Sequence, residues 1–147
     1  MTTKVTIDTG WTPATVGDGT YISVTQGTNA TLTLNNVSYV TPAIPATVKL
    51  SGSKALVFIN VSEAGADVVS DMFMEISPDG TNWSTHENTG QDYISITTDI
   101  APDDTGYKVY LVDLSGFRSP YYRIGINSAG NALGTSMEFQ MGYAYLK

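Results

Sequence analysis

The sequence predicts an all-β protein, an antiparallel β-sandwich of jelly-roll or immunoglobulin-like type with about 8–10 strands and little or no helix. Three observations lead there. The dominant periodicity is two rather than 3.6, best seen from Met137 to Tyr145, where large apolar or aromatic residues hold the odd positions and small or polar ones the even. Turn signals recur every ~8–12 residues. The polarity is carried by hydroxyls: 20 of 147 residues are Thr, whereas only 14% are charged, well under the ~25% of ordinary soluble domains.

Taken in order, Val5/Ile7 and Ile22/Val24 open short alternating runs, and Ala30–Asn35 alternates the same way. Thr41–Thr47 carries Pro42 and Pro45, which removes two ladder donors and predicts an extended, polyproline-like spacer. Leu56–Ile59 and Met72–Met74 are apolar at both parities, the mark of strands inside their sheets. Between them, Glu63–Ser70 reads as a loop, because Gly65 and the β-branched pair Val68-Val69 oppose a helix. Ser77-Pro78-Asp79-Gly80-Thr81-Asn82-Trp83 is a turn with a mechanism. Pro presets one dihedral, Asp suits the next position and Gly accepts φ > 0, so the strand reverses here and returns through Trp83, whose ring is expected under the hairpin. Ile94/Ile96, Val109/Leu111 and Tyr122–Asn127 supply further alternating runs before the closing strand.

Charge divides the chain. Residues 1–52 hold Lys4, Lys49, Asp8 and Asp18 and are neutral, while residues 53–147 carry the whole excess of −7. Two organisations fit: a neutral, Thr-rich segment 1–52 that docks as an arm ahead of an acidic β-sandwich 53–147, or early strands that complete one continuous sandwich. In the first, Thr31-Leu32-Thr33-Leu34 adds to a partner's sheet edge. An acidic chain without clustered Lys or Arg opposes binding to nucleic acid or to an anionic membrane. No apolar run approaches the ~18 residues of a membrane span. The start, Met1–Thr6, lacks the basic-then-apolar pattern of a signal peptide, so synthesis in a cytoplasm is expected.

Catalytic patterns are thin. His86 is the one histidine, and its neighbours Ser84 and Glu87 do not make a triad with it by sequence adjacency. The absence of Cys removes thiol chemistry. Asp103-Asp104 sits in turn composition. Asp67, Asp71 and Asp79 are weak candidates for Ca²⁺ if one end of the sandwich gathers them, although no EF-hand spacing is present. Neither enzymatic activity nor a cofactor is expected. Sugar stacking is the competing binding chemistry, with Trp11, Tyr39, Trp83, Tyr107, Tyr110 and Tyr121 as candidate rings. Arg118 and Arg123 flank Ser119-Pro120-Tyr121-Tyr122 and offer guanidinium forks to partner carboxylates, or pair locally with Asp113 or Glu138. The aromatic pairs Tyr121/Tyr122 and Tyr143/Tyr145 suggest a surface for self-association.

From about Leu56 to Tyr145 the chain resembles the small all-β virion proteins of tailed bacteriophages, particularly capsid decoration (cement) proteins. The resemblance rests on the Ser77-x-Asp79-Gly80-x-x-Trp83 turn between strands, the later Tyr121-Tyr122-Arg123-Ile124 strand and the long closing strand. It implies a non-enzymatic virion protein that binds the major capsid protein or another virion component on the outside of the shell, commonly as a trimer. A carbohydrate-binding module of a tail or fibre is the alternative.

Overall fold

The computed structural model describes residues 3–6, 12–14, 21–26, 30–32, 37–45, 54–63, 69–84, 93–97, 105–116, 119–128 and 137–146. These form twelve strands and no helix: β1 (Thr3–Thr6), β2 (Thr12–Ala14), β3 (Tyr21–Gln26), β4 (Ala30–Leu32), β5 (Val37–Val40), β6 (Ile44–Pro45), β7 (Lys54–Glu63), β8 (Val69–Ser77), β9 (Tyr93–Thr97), β10 (Gly106–Asp113), β11 (Tyr121–Ser128) and β12 (Met137–Leu146). The excess over the expected number comes from short pieces, β2, β4 and β6, of two or three residues each. The all-β sandwich read from alternation is the fold observed.

Sheet A runs β1-β5-β11-β8-β9 with β6 beside β11, and sheet B runs β10-β7-β12-β3-β2 with β4 beside β12. The chain crosses repeatedly between them, so each sheet draws strands from both ends of the sequence. β5 and β6 lie against β11, and β3 and β4 lie against β12. Pairing is antiparallel except between β1 and β5. A parallel pair needs a long connection, and here the chain passes through three strands of sheet B in between.

Alternation decides what fills the space between the sheets. Sheet B contributes Val57, Ile59, Val61, Val112, Phe139, Met141 and Tyr143, and sheet A contributes Tyr39, Met72, Met74, Tyr122, Ile124 and Ile126. Tyr39 and Phe139 meet edge to face across the two layers, with centroids 6.5 Å apart. β7 and β8, apolar at both parities, are flanked by neighbours on both sides.

Proline interrupts the ladders in a repeated way. At Pro42 and Pro120 a hydroxyl residue precedes the proline, and its side chain supplies the missing rung. Thr41, before Pro42, donates its N–H to the Ile124 carbonyl at 2.8 Å and accepts the Ile124 N–H on Oγ1 at 3.0 Å. Ser119, before Pro120, donates its hydroxyl to the Ser77 carbonyl at 2.7 Å and accepts the Ser77 N–H at 3.2 Å. The segment beginning at Thr41 is therefore no free polyproline spacer. It stays on β11, where Ile44 pairs with Tyr122 and Pro45 with Tyr121.

Gly125 is required by its neighbour. The buried Phe73 ring lies over it, and a Cβ there would sit 2.2 Å from Phe73 Cζ. Gly125→Ala is expected to destabilise by about 1–3 kcal/mol through overpacking, lowering Tm by several degrees. An unchanged melting curve would show that the ring moves aside freely.

Candidate functional site: the two outward faces

The outward face of sheet A is closed by charge and rings. On β8 the odd residues Phe73 and Glu75 point away from the core cluster, yet both are fully buried. Glu75 is held from two sides. Lys4, on β1, pairs with Oε1, and Arg123, on the neighbouring β11, donates Nε to Oε2 at 2.6 Å with Nη2 at 2.5 Å. Arg123 stacks in turn on the Trp83 ring, 4.4 Å from its centroid, and Lys4 Nζ lies 5.9 Å from the centre of Phe73. A carboxylate clamped between two cations is fixed as an anion and serves as a strut rather than a proton carrier.

This arrangement corrects two expectations. The fork of Arg123 is spent on Glu75, not on a partner and not on Asp113 or Glu138, because the antiparallel register sets Arg123 directly across from Glu75. Trp83 is half-buried rather than enclosed: Ser84, not the ring, ties the returning chain to Ile76, donating its N–H to the Ile76 carbonyl at 2.9 Å and accepting the Ile76 N–H on Oγ at 3.0 Å.

The turn itself forms as its residues dictate. Gly80 has φ 75°, and Tyr121 packs against it at 3.4 Å from where a Cβ would stand. Ser77 Oγ accepts the Gly80 N–H at 2.8 Å and the Asp79 N–H at 3.3 Å. Asp79 Oδ1 accepts the Thr81 and Asn82 N–H groups at 2.8 and 2.7 Å, and Oδ2 accepts Asn82 Nδ2 at 2.7 Å. Those donors, the Asn82 and Thr81 amides first, hold the Asp79 carboxyl far below the usual carboxylate range. Asp113 is lowered as well, chiefly by the Ser115 amide.

The Ca²⁺ candidates do not converge. Asp71 lies near the start of β8 and Asp79 beyond its end, so the length of a strand, ~3.3 Å per residue, separates them. Among the described residues no three of His, Asp and Glu gather as a metal site would require. Asp67, Asp103, Asp104, His86, Arg118, Thr33, Leu34 and Trp11 lie outside the described residues. Thr31 and Leu32 pair with Glu138 and Met137 of β12.

The aromatic candidates separate by exposure. Tyr39, Tyr122 and Tyr143 are core, Tyr110 packs against the core, and Tyr121 covers Gly80. Of the pairs Tyr121/Tyr122 and Tyr143/Tyr145 expected to form a self-association surface, Tyr122 and Tyr143 are interior and Tyr121 is half-buried, while the Tyr145 side chain lies outside the described ones. Among the described residues the exposed large apolar side chains lie instead on β10, at the edge of sheet B: Tyr107, Val109 and Leu111 are 65%, 56% and 59% exposed. Across from them on β7 stand Asn60, Phe58 and Leu56, and the Phe58 and Tyr107 rings lie 5.9 Å apart.

The sequence reading had Val109 and Leu111 as the half-buried set of this strand. β10 carries apolar residues at both parities, and the core takes the other one, Tyr110 and Val112, with Leu114 beyond the strand. Strand periodicity fixes which residues share a face but not which face is inside. The position of Lys108 among the core-side residues made the phase harder to read.

Charge marks the same surface. Between Ala55 and Ser62 on β7, Gly106 and Val112 on β10, Phe139 and Leu146 on β12, and throughout β3, Lys108 is the one charged residue. The charges stand at the strand ends: Asp113 across from Lys54, and Glu138 across from Glu63. In a chain with fourteen acids, the band of Tyr107, Val109 and Leu111 is apolar and acid-free. Among the described residues no helix is long and apolar enough to cross a membrane. No family model and no curated protein matches the chain.

Two outcomes follow. Glu75→Gln leaves two cations on a buried site without their counter-charge and is expected to cost roughly 3–5 kcal/mol, whereas Tyr107→Ser changes stability by no more than ~0.5 kcal/mol. Thermal or urea unfolding of the two variants checks the contrast, and equal stabilities would remove the strut. Asp79 is expected to remain ionised, with the turn intact, after ordinary exposed carboxylates have protonated. Because its folded pKa is depressed, its contribution is present above the unfolded value of ~3.9 and is lost as pH falls through the folded value. A carboxyl NMR titration with a midpoint near the ordinary value would contradict this.

Proposed function

We propose that the chain is a non-enzymatic structural protein of a virion, a decoration or cement protein that binds the outer surface of a phage capsid and stabilises it. Docking uses the outward face of sheet B. The observation that carries the reading is the acid-free band of Tyr107, Val109 and Leu111 with Phe58 and Leu56 behind it. Scattered exposed apolar residues are ordinary, but three at alternate positions of one strand, backed by a buried ring, form a contiguous patch. Its outward position on the sheet suits a partner that contributes apolar side chains. The hydroxyl-rich, sparsely charged composition supports the reading too, since neutral polar groups lose less on burial than ions. Of the features on which the resemblance to decoration proteins rests, the Ser77–Trp83 turn and the Tyr121–Ile124 strand are built on sheet A, and the closing strand β12 lies inside sheet B. None of them lies on β10, whose residues are left free to vary with the shell.

Electron cryomicroscopy of phage particles assembled with and without the chain tests the proposal. Extra density on the outer shell is expected with the wild-type protein and is expected to vanish with Leu111→Asp. Particles without such density would overturn the proposal. Strong binding on a glycan array, abolished by Tyr107→Ala, would favour the sugar-binding alternative in its place.

A further inference from the structure

We infer that the β10 edge pairs with the β10 edge of a second copy, antiparallel about a two-fold axis at Val109, so that the two B sheets form one continuous sheet. The inference rests on the reading of this face as an interaction surface and names its first occupant. β10 ends the order of sheet B, and among the described residues no strand lies on its far side. It is eight residues long and pairs with β7 without a register shift. Natural edge strands are blunted by bulges, proline, brevity or charge. This one contains no Pro and no bulge, and its single interior charge is Lys108.

Charge selects the partner. Each copy carries −7, so two copies repel over most of their surfaces, and contact is least opposed where acids are missing. The stretch Thr105–Val112 holds no acid and one lysine. Lys108 also selects the register. Pairing centred on Lys108 would set two ammonium groups directly across from each other, which is destabilising. Centred on Tyr110, it would place Asp113 against Tyr107 and Lys108 against Val112. Centred on Leu111, it would set Asp113 against Val109. Centred on Val109, Lys108 faces the partner's Tyr110, Gly106 faces Val112, and Asp113 faces Thr105. On the outward side Val109 then meets its own copy and Tyr107 meets Leu111. The exposed stripe of each chain runs into that of the other, doubling the band offered to a shell. The interface is isologous and closed, as two-fold assembly requires.

The cysteine-free chain permits a direct test. Sedimentation velocity on the full chain at micromolar concentrations is expected to give a dimer. Val109→Lys, which places two lysines across the axis, is expected to weaken it by about tenfold or more with an unchanged melting curve. Val109→Cys should oxidise to a cross-linked dimer by itself, since directly opposed residues in antiparallel strands lie within disulfide range. Tyr107→Cys and Leu111→Cys should cross-link only when mixed. A monomer or trimer mass, a dimer unaffected by Val109→Lys, or failure of Val109→Cys to cross-link would each overturn the pairing. A monomer that still binds capsid shells removes the pairing and leaves the docking face. A dimer that binds no shell does the reverse.

Discussion

A carboxylate with no exposed surface, on the side of a sheet that faces away from the core, sets the terms for half of this molecule. Glu75 can be buried there only because Lys4 and Arg123 reach it from different strands. An unpaired buried ion would cost several kcal/mol, and removing either cation would leave the carboxylate held from one side only. Arg123 pairs across its immediate strand neighbour, so it locks β11 to β8. Lys4 comes from β1, with β5 and β11 intervening in the sheet order, so it fastens the first strand over its neighbours. Trp83 and Phe73 complete the cover, and Gly125 makes room for it.

The two outward faces are therefore opposites. Sheet A closes its own outer surface with a salt-bridged cluster and rings. Sheet B leaves Tyr107, Val109 and Leu111 in solvent while keeping acids to its margins. Burying the described part of the sheet A face against another protein would gain little apolar area, because its described apolar groups are already covered. The sheet B face gains on contact, at about 25 cal/mol per Å² of apolar surface removed from water. That difference is what supports the proposal that sheet B is the binding side.

Much of the fold was legible from residues alone. The alternation of Met137–Tyr145, the two-sided apolar runs in β7 and β8 and the Ser77–Trp83 turn all resolve where they were expected, because period, burial and turn chemistry agree there. The sites were less legible. Glu75 stands one residue beyond Met72–Met74, and nothing in its neighbourhood shows that Lys4, 71 positions away, will cover it. The phase of β10 could not be read because both parities are apolar. The Thr41-Pro42 step was read through its proline, whereas the hydroxyl before the proline decides the geometry by restoring the rung. The same holds at Ser119-Pro120, which makes the hydroxyl–proline step the local signal that was available and unused.

The sheet order has a kinetic side as well. β12 is the last strand in the sequence, yet it lies inside sheet B, touching β7, β3 and β4. During synthesis, β3 and β4 therefore wait for more than a hundred residues before their neighbour emerges, and β1 waits for β8 and β11 to offer Glu75 and Arg123. Contacts so distant in sequence make for slow folding, with loop closure paid before pairing rewards it. The early hydroxyl-rich, net-neutral segment spends that interval without β12, its Thr and Asn side chains hydrated. Hydroxyls and a balanced charge in residues 1–52, rather than fewer apolar side chains, thus serve the nascent chain as much as the finished one.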